Sequence, residues 1–182
     1  MDVATIATRR LELVSLPLPL LGALLARRRA DAARMLGAGI PAWWPDAEDV
    51  VFLRMRRDDL RQDPAARQWL ARAVVRRGRE REMIGHAGFH GRPAAHPRSG
   101  LPVVELGYAI FPDHRGHGYA QEAARALIDW AGTTHGIRAF RASVAPHNAA
   151  SLAIVRRLGF VQTGERWDER DGLELVFELE TA

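Results

Sequence analysis

Apolar positions recur along this chain with two periods, near two in some short runs and near 3.6 in others, and proline and glycine separate the runs. Residues 8–16, TRRLELVSL, alternate, so Leu11, Leu13 and Ser15 share one face of a first strand. Residues 20–29 predict a helix with Pro19 near its first turn, and residues 31–36 a second short helix between Asp31 and Gly37. Residues 37–45 form a breaker-rich loop carrying Trp43 and Trp44. Residues 49–57 predict a strand. Asp63-Pro64 pairs a cap with a first helical position and predicts a helix to about Arg77, with Trp69, Leu70, Ala73 and Val74 as its apolar face. A charged turn at 78–82 leads to a strand at 83–89 and then to a proline- and glycine-rich connection at 90–102, of the composition of a mobile loop.

The second half is more sharply punctuated. A strand at 103–111, bounded by Gly100 and Pro112, runs into the loop PDHRGHG. A helix opens near Tyr119, with Ala120, Ala123, Leu127 and Ala131 along one face and Gly136 as its stop. Residues 137–145 predict a strand, and Asn148 caps a helix at 149–158 that Gly159 ends. Strands at 160–166 and 173–179 flank Asp171-Gly172 and predict a hairpin with a wandering tip at 167–170. This order predicts a mixed α/β layer structure, an α+β arrangement rather than an alternating doubly wound sheet. Its length suits a single domain over residues 1–182.

Composition narrows the options. A hydrophobic fraction of 47% and a charged fraction of 26% are those of an ordinary globule. No apolar run approaches the roughly 20 residues that span a bilayer. The apolar stretch at 16–26 contains prolines and leads into Arg27-Arg28-Arg29 with no small-residue cleavage site, so it reads as a helix of the folded protein, and a cytoplasmic location is expected. Cysteine is absent, which excludes disulfides, thiolate zinc sites and a cysteine nucleophile. Lysine is absent too, so all 26 basic positions are arginine and the net charge is +4. That pattern reads as coding bias; a basic surface suits a polyanionic ligand, while any one arginine cluster reads first as a solvated face.

Strand, glycine loop and helix start together make a phosphate cradle: glycines let the backbone approach an anion, and the unpaired N–H groups of the first helical turn point at it. The sequence carries neither G-x-x-x-x-G-K-[ST] nor G-x-G-x-x-G. Instead it has Arg115-Gly116-His117-Gly118-Tyr119-Ala120, which resembles the R-x-x-G-x-G/A loop of the Gcn5-related N-acetyltransferases (GNAT). A second block, SVAPHNAASLAIVRRLGF at 143–160, resembles the strand, Asn-x-x-Ser helix and Leu-Gly-Phe turn that follow this loop in the same family. ELGY at 105–108 and the spacing of the two blocks resemble the ribosomal-protein acetyltransferase (RimJ/RimL-type) branch. The resemblance is specific over about residues 83–180. It implies a mixed central sheet of about six to seven strands flanked by helices, with acetyl-coenzyme A as cosubstrate and its pyrophosphate held by Arg115, Gly116, His117, Gly118, Tyr119 and Ala120.

Acyl transfer to an amine sets three demands. The ammonium, with a pKa near ~10.4, must lose a proton; the thioester oxygen needs N–H donors; and the departing thiolate needs a proton or hydrogen bond. Glu105 is the candidate base or water relay, sharing a strand face with the small residues Gly107 and Ala109; the alternative is a salt bridge to an arginine. Ser151, one turn into the helix at 149–158, is the candidate donor to the sulfur or else an ordinary first-turn serine. The resemblance places oxyanion and pantetheine donors on the strand backbone near Ile110 and Phe111, and a pantetheine contact on Asn148, which can also cap its helix. Tyr108, on the face opposite Glu105, reads as core. Trp43 and Trp44 read as packing or as acceptor-pocket walls, and the acidic stretch WDERDG at 167–172 as a solvated hairpin tip or a surface for a cationic acceptor.

The expected acceptor is a protein N-terminal amine or a small-molecule amine, attacked directly in a ternary complex, since no cysteinyl relay is available. The alternative is a coenzyme A-binding sensor or scaffold without catalysis. His86 and His90 on one strand face, and His114 and His117 in the loop, lack further ligands at metal spacing, so no metal is expected. Neither nucleic acid nor a membrane is an expected partner, and monomer and homodimer stay open.

Overall fold

The computed structural model describes residues 3–170 and 172–181. Asp171, half of the expected Asp171-Gly172 turn, lies outside them. The strands are β1 (Ile6–Ala7), β2 (Leu11–Ser15), β3 (Arg72–Arg76), β4 (Glu82–Phe89), β5 (Ala94–Ala95), β6 (Pro102–Ile110), β7 (Ala139–Val144), β8 (Val161–Asp168) and β9 (Gly172–Glu180). The helices are α1 (Leu18–Leu25), α2 (Arg29–Leu36), α3 (Ala47–Gln62), α4 (Tyr119–His135) and α5 (Ala149–Arg157). Among the described residues the strands form one sheet in the order β1-β2-β3-β4-β6-β7-β9-β8, with β5 added to β6. The mixed sheet flanked by helices is the expected architecture. It has more strands than the six to seven predicted, partly because β1 and β5 are only two residues long.

Period-two burial organises both faces of the sheet. In β2, Leu11, Leu13 and Ser15 are buried while Glu12 and Val14 are not, as the alternation predicted. On one face, Val104, Leu106 and Ile110 of β6 and Phe140, Ala142 and Val144 of β7 pack against Ala123, Leu127 and Ala131 of α4. On the other, Val75 and Met83 pack with Leu20, Leu24, Leu36 and Leu53 from α1, α2 and α3. α4 has the face predicted for it, and Gly136 ends it in a left-handed conformation.

Two predicted elements are exchanged. The expected strand at 49–57 is the middle of α3. Asp46 accepts from the Asp49 N–H at 2.9 Å while the Asp49 side chain accepts from the Asp46 N–H at 3.2 Å, a reciprocal capping box. Leu53, Arg56 and Leu60 are the buried positions of α3, spaced three and four apart as on a helix. The apolar run of Val50 to Leu53 hid that period. Conversely, the helix predicted from Pro64 to Arg77 stops after one short 3-10 stretch, Pro64–Gln68, and continues as β3. Ala73, Val74 and Val75 are fully buried on both faces, so β3 has no polar alternation to announce it. Arg72 in β3 is fully buried too, with its guanidinium donating to the carbonyls of Ala4 at 2.8 Å and Gln68 at 3.0 Å.

The connection after β4 is less loose than its composition suggested. β5 pairs with the start of β6, and the ring of His96 meets Glu178 at 2.9 Å. The C-terminal hairpin forms, with β8 reaching Asp168, so Trp167 is a paired strand residue opposite Leu173 rather than part of the tip. Among the described residues no helix is long and apolar enough to cross a membrane.

The capping box gives a direct test of why residues 49–57 are helical. Replacing Asp46 with Ala removes the side-chain acceptor for the Asp49 N–H, and urea unfolding is expected to show a loss of about 1 kcal/mol. An unchanged midpoint would mean that tertiary packing alone holds the start of α3.

Candidate functional site

β6 is hydrogen-bonded to β4 from Leu106 to Ile110, but to β7 only through Val103, Val104 and Glu105, opposite Ala139, Phe140 and Arg141. Beyond Glu105 the parallel strands diverge, and α5 flanks the opening. This splay decides where free backbone groups lie. The His90 N–H donates to the Glu105 carbonyl at 2.8 Å and the Phe111 N–H to the Ile84 carbonyl at 2.9 Å, so the odd-numbered residues of this stretch turn their backbone groups toward β4. By the same alternation Leu106, Tyr108 and Ile110 turn theirs toward the opening. The Ile110 carbonyl does face that way, accepting from Arg115 Nε at 2.9 Å.

The expectation of donors at Ile110 and Phe111 therefore divides. Ile110 lines the opening; Phe111 does not, because its N–H is taken by Ile84 and its ring is buried against Trp43 and Trp44. Tyr108 takes its place. Read from sequence as core, it is only half-buried and stands where the two halves of the cleft meet. Burial pushes the Tyr108 phenol up, with the Ser151 hydroxyl beside it pulling the other way.

One half of the cleft, about 520 Å³, runs from Tyr108, Ala109 and Ile110 past Asn148, Ser151, Ile154 and Arg157 of the α5 region to the glycine loop. At that end His114, Arg115, Gly116, Gly118, Ala120 and Gln121 form the wall. Gly116 and Gly118 both have φ of +77°, a left-handed conformation that strains any residue with a Cβ. No side chain caps α4, and its first intrahelical bond is Glu122 N–H to the Gly118 carbonyl at 3.1 Å. The N–H groups of Tyr119, Ala120 and Gln121 thus precede the helical ladder at the positive end of its dipole, with Arg115 and Arg157 nearby. The rings of His117 and Tyr119 stack on each other with centroids 5.8 Å apart and do not line the cleft, which leaves Tyr119 its expected place through its N–H alone.

A brace that the sequence did not suggest holds this loop. Arg10 Nε meets Glu122 Oε2 at 2.6 Å, Arg10 Nη1 donates to the His117 carbonyl at 2.9 Å, and its guanidinium lies 4.6 Å from the Tyr119 ring centroid. Thr8 Oγ1 and the Arg10 N–H both donate to Glu122 Oε1. These contacts bridge more than a hundred residues of sequence, so no local pattern could announce them.

The other half of the cleft, about 280 Å³, lies between His90, Gly107 and Tyr108 on one side and Ser143, His147, Asn148, Ser151 and Glu174 on the other. Asn148 Oδ1 accepts from the Ser151 N–H at 3.0 Å, which caps α5 and leaves the amide nitrogen of Asn148 for another partner. Ser151 lines both halves. Glu105 and Arg166 form an ion pair: Oε1 lies 2.9 Å from Nη2, and Oε2 accepts from Nη1 at 3.1 Å. Arg166 Nε also donates to Glu174 Oε2 at 2.8 Å. The arginine pairing weighed for Glu105 is therefore present, behind the chamber wall formed by His90 and Glu174.

Trp44 is buried while Trp43 remains 47% exposed, and both lie against Phe111, outside this cleft. His86 is half-buried, stacked on Phe52 at 4.3 Å, and desolvation together with Arg56 holds its pKa down to about 4. Among the described residues no cluster of three or more His, Asp or Glu side chains could hold a metal ion.

Residues 10–161 match the family model for the acetyltransferase (GNAT) domain. The uncharacterized N-acetyltransferase YjdG of Bacillus subtilis is 28% identical over 154 residues, 85% of this chain and 88% of that protein. The chain spans about half the length of several other Bacillus relatives it matches. Among solved structures, an acetyltransferase from Agrobacterium tumefaciens superposes with a TM-score of 0.65 at 23% identity, covering 100% of this chain and 96% of that one. RimL, a ribosomal alpha-N-protein acetyltransferase solved with coenzyme A, gives a TM-score of 0.63 at 18% identity over 97% of this chain and 98% of its own.

The glycine loop provides the test for this site. Gly118→Ala has room for its Cβ, whose nearest neighbour is Arg10 Nη2 at 3.6 Å, so its cost is conformational. Urea unfolding should show a loss of about 1–2 kcal/mol. No change would mean the loop relaxes to a right-handed conformation without penalty.

Proposed function

Because the chain belongs to the acetyltransferase (GNAT) domain family, we propose that it transfers the acetyl group of acetyl-coenzyme A directly to a primary amine in a ternary complex. The observation that carries this reading is the splay of β6 from β7, which joins an anion-ready helix start to a chamber lined by Ser151, His90 and Glu174. A cofactor with an anionic end and a long amide-bearing arm fits such a cleft. The N–H groups of Tyr119, Ala120 and Gln121, with Arg115, would hold the pyrophosphate, and Arg157 faces the same half of the cleft. The backbone groups of Tyr108, the Ile110 N–H and the amide of Asn148 would hold the arm.

The thioester would then lie where the two halves meet, between Tyr108 and Ser151. A backbone N–H turned into the splay stabilises the oxygen that gains charge on attack. The Ser151 hydroxyl supplies a proton or hydrogen bond to the departing sulfur, and Glu105 serves the proton-accepting side. With no cysteine in the chain, the acyl group passes to the amine without a cysteinyl intermediate. The acceptor named for RimL favours a protein N-terminal amine, and a small-molecule amine is the other class the chamber admits.

Calorimetric titration with acetyl-coenzyme A should give micromolar affinity, and Arg115→Ala should weaken it at least about 10-fold, the loss expected for a charge-assisted contact. Heatless, unsaturable titration of the wild type would overturn the proposal. Thiol release with an amine panel then reads turnover, uncomplicated by any thiol of the protein. Ser151→Ala should lower kcat by about 100-fold with little change in acetyl-coenzyme A affinity. Binding without release for every amine would leave a coenzyme A-binding module instead of an enzyme.

A further inference from the structure

The opposite side of the splay carries a histidine that the proposed chemistry has not used. His90 follows the last residue of β4, and its backbone is held on both sides: its N–H donates to the Glu105 carbonyl at 2.8 Å, and its carbonyl accepts from Arg56 Nη1 at 3.3 Å. Its side chain is 55% exposed and lines the chamber with Gly107, Ser151 and Glu174. Nδ1 stands 3.6 Å from Glu105 Oε1. Nε2 lies across β6 at Gly107, where a Cβ would come within 2.7 Å of it. The missing side chain at Gly107 is what admits the ring over the strand at the point where β6 leaves β7.

Glu105 is poorly placed to meet an amine by itself. Both of its oxygens face Arg166, Oε1 is inaccessible to solvent, and Glu105 does not line the chamber. His90 stands between that carboxylate and the open space. A carboxylate beside Nδ1 favours the tautomer with the proton there, which leaves the lone pair on Nε2.

Resting on the acetyl-transfer reading above, we infer that His90 Nε2 is the group that takes the proton from the acceptor ammonium, with Glu105 as the positioning residue behind it. One ammonium proton passes to Nε2, giving an imidazolium whose Nδ1–H faces Glu105. The freed nitrogen lone pair attacks the thioester carbon; the carbon–nitrogen bond forms and the carbon–sulfur bond breaks. The second nitrogen proton ends on the departing sulfur by way of the Ser151 hydroxyl, and the imidazolium returns its proton to solvent. Acetyl thioester and ammonium thus become amide, thiol and one released proton.

The charged groups facing His90 come from four elements: Glu105 on β6, Arg56 on α3, Arg166 on β8 and Glu174 on β9. Partial desolvation between the walls of the cleft lowers the imidazole pKa, the two arginines act in the same direction, and the two glutamates oppose them. A lowered value keeps the imidazole neutral, and so able to accept a proton, to a more acidic pH than an ordinary histidine near ~6.5. The acid limb of kcat/KM should therefore fall below that value.

The test is thiol release with an amine that the wild type accepts, as a function of pH, for the wild type and His90→Gln, Glu105→Gln and Gly107→Ala. His90→Gln should lose about 100-fold in kcat while binding acetyl-coenzyme A within about twofold of the wild type, and its acid limb should disappear. Glu105→Gln should keep an acid limb, moved to lower pH because the carboxylate that favours the imidazolium is gone. Gly107→Ala should lose turnover with the imidazole still present, because its Cβ displaces the ring. Wild-type kcat and an intact acid limb in His90→Gln would overturn the inference while leaving acetyl transfer standing. Absence of release from the wild type with any amine would sink both.

Discussion

The structure turns on one strand that is paired along its whole functional length on one side and along only three residues on the other. A buried backbone N–H or carbonyl without a partner is costly, so a sheet that opens must give the exposed groups something to bond. Here the opening is a cleft, and the backbone of Tyr108 and the Ile110 N–H lie on its floor. The glycine loop follows directly on Phe111 at the end of the same strand, so glycine loop and open backbone are fixed relative to each other by a single rigid element. The Arg10–Glu122 brace adds a hold from the other end of the chain, tying the loop to the turn between β1 and β2.

The two sides of the sheet divide the chemistry. The even-numbered side chains of β6 pack against α4 and make the apolar bed on which the cleft rests. The odd-numbered face carries Glu105 with Gly107 beside it, and there charge replaces apolar packing: Glu105 with Arg166, Arg166 with Glu174, and Arg141 with Glu178. Arg141 and His96 hold the Glu178 carboxylate down to about 2, so that part of the face stays ionised throughout the ordinary pH range. Such pairs between partly buried side chains set geometry more than they add stability. Their effect is to hold a polar surface behind the splay, while Arg115 and Arg157 stand at the other end of the cleft.

Local pattern gave the second half of the chain almost residue by residue. The glycine loop, α4 with its alanine–leucine face, the Asn148 cap and the C-terminal hairpin all carry short-range signals: left-handed glycines, first-turn acceptors and an apolar helix face. The first half misled where a short apolar run fits both periods. Val50 to Leu53 looked like a strand and became helix through the Asp46–Asp49 box and the burial of Leu53, Arg56 and Leu60. The run from Leu70 to Val75 looked like a helix face and became β3, because a strand buried on both sides has no alternation to display.

A glycine turn that follows a strand and opens a helix, and a second helix begun by an asparagine and a serine, are legible in local sequence, because they depend on backbone conformations that a few adjacent residues dictate. Which strand groups are free and which side chains meet depends on contacts between distant segments. Phe111 turns its N–H to Ile84 and Tyr108 faces the opening because ladder register, not sequence position, chooses which N–H groups point there. Glu105 acquired Arg166 from β8 and His90 from the residue after β4 as neighbours, at separations of 61 and 15 residues, through pairings that no local window contains.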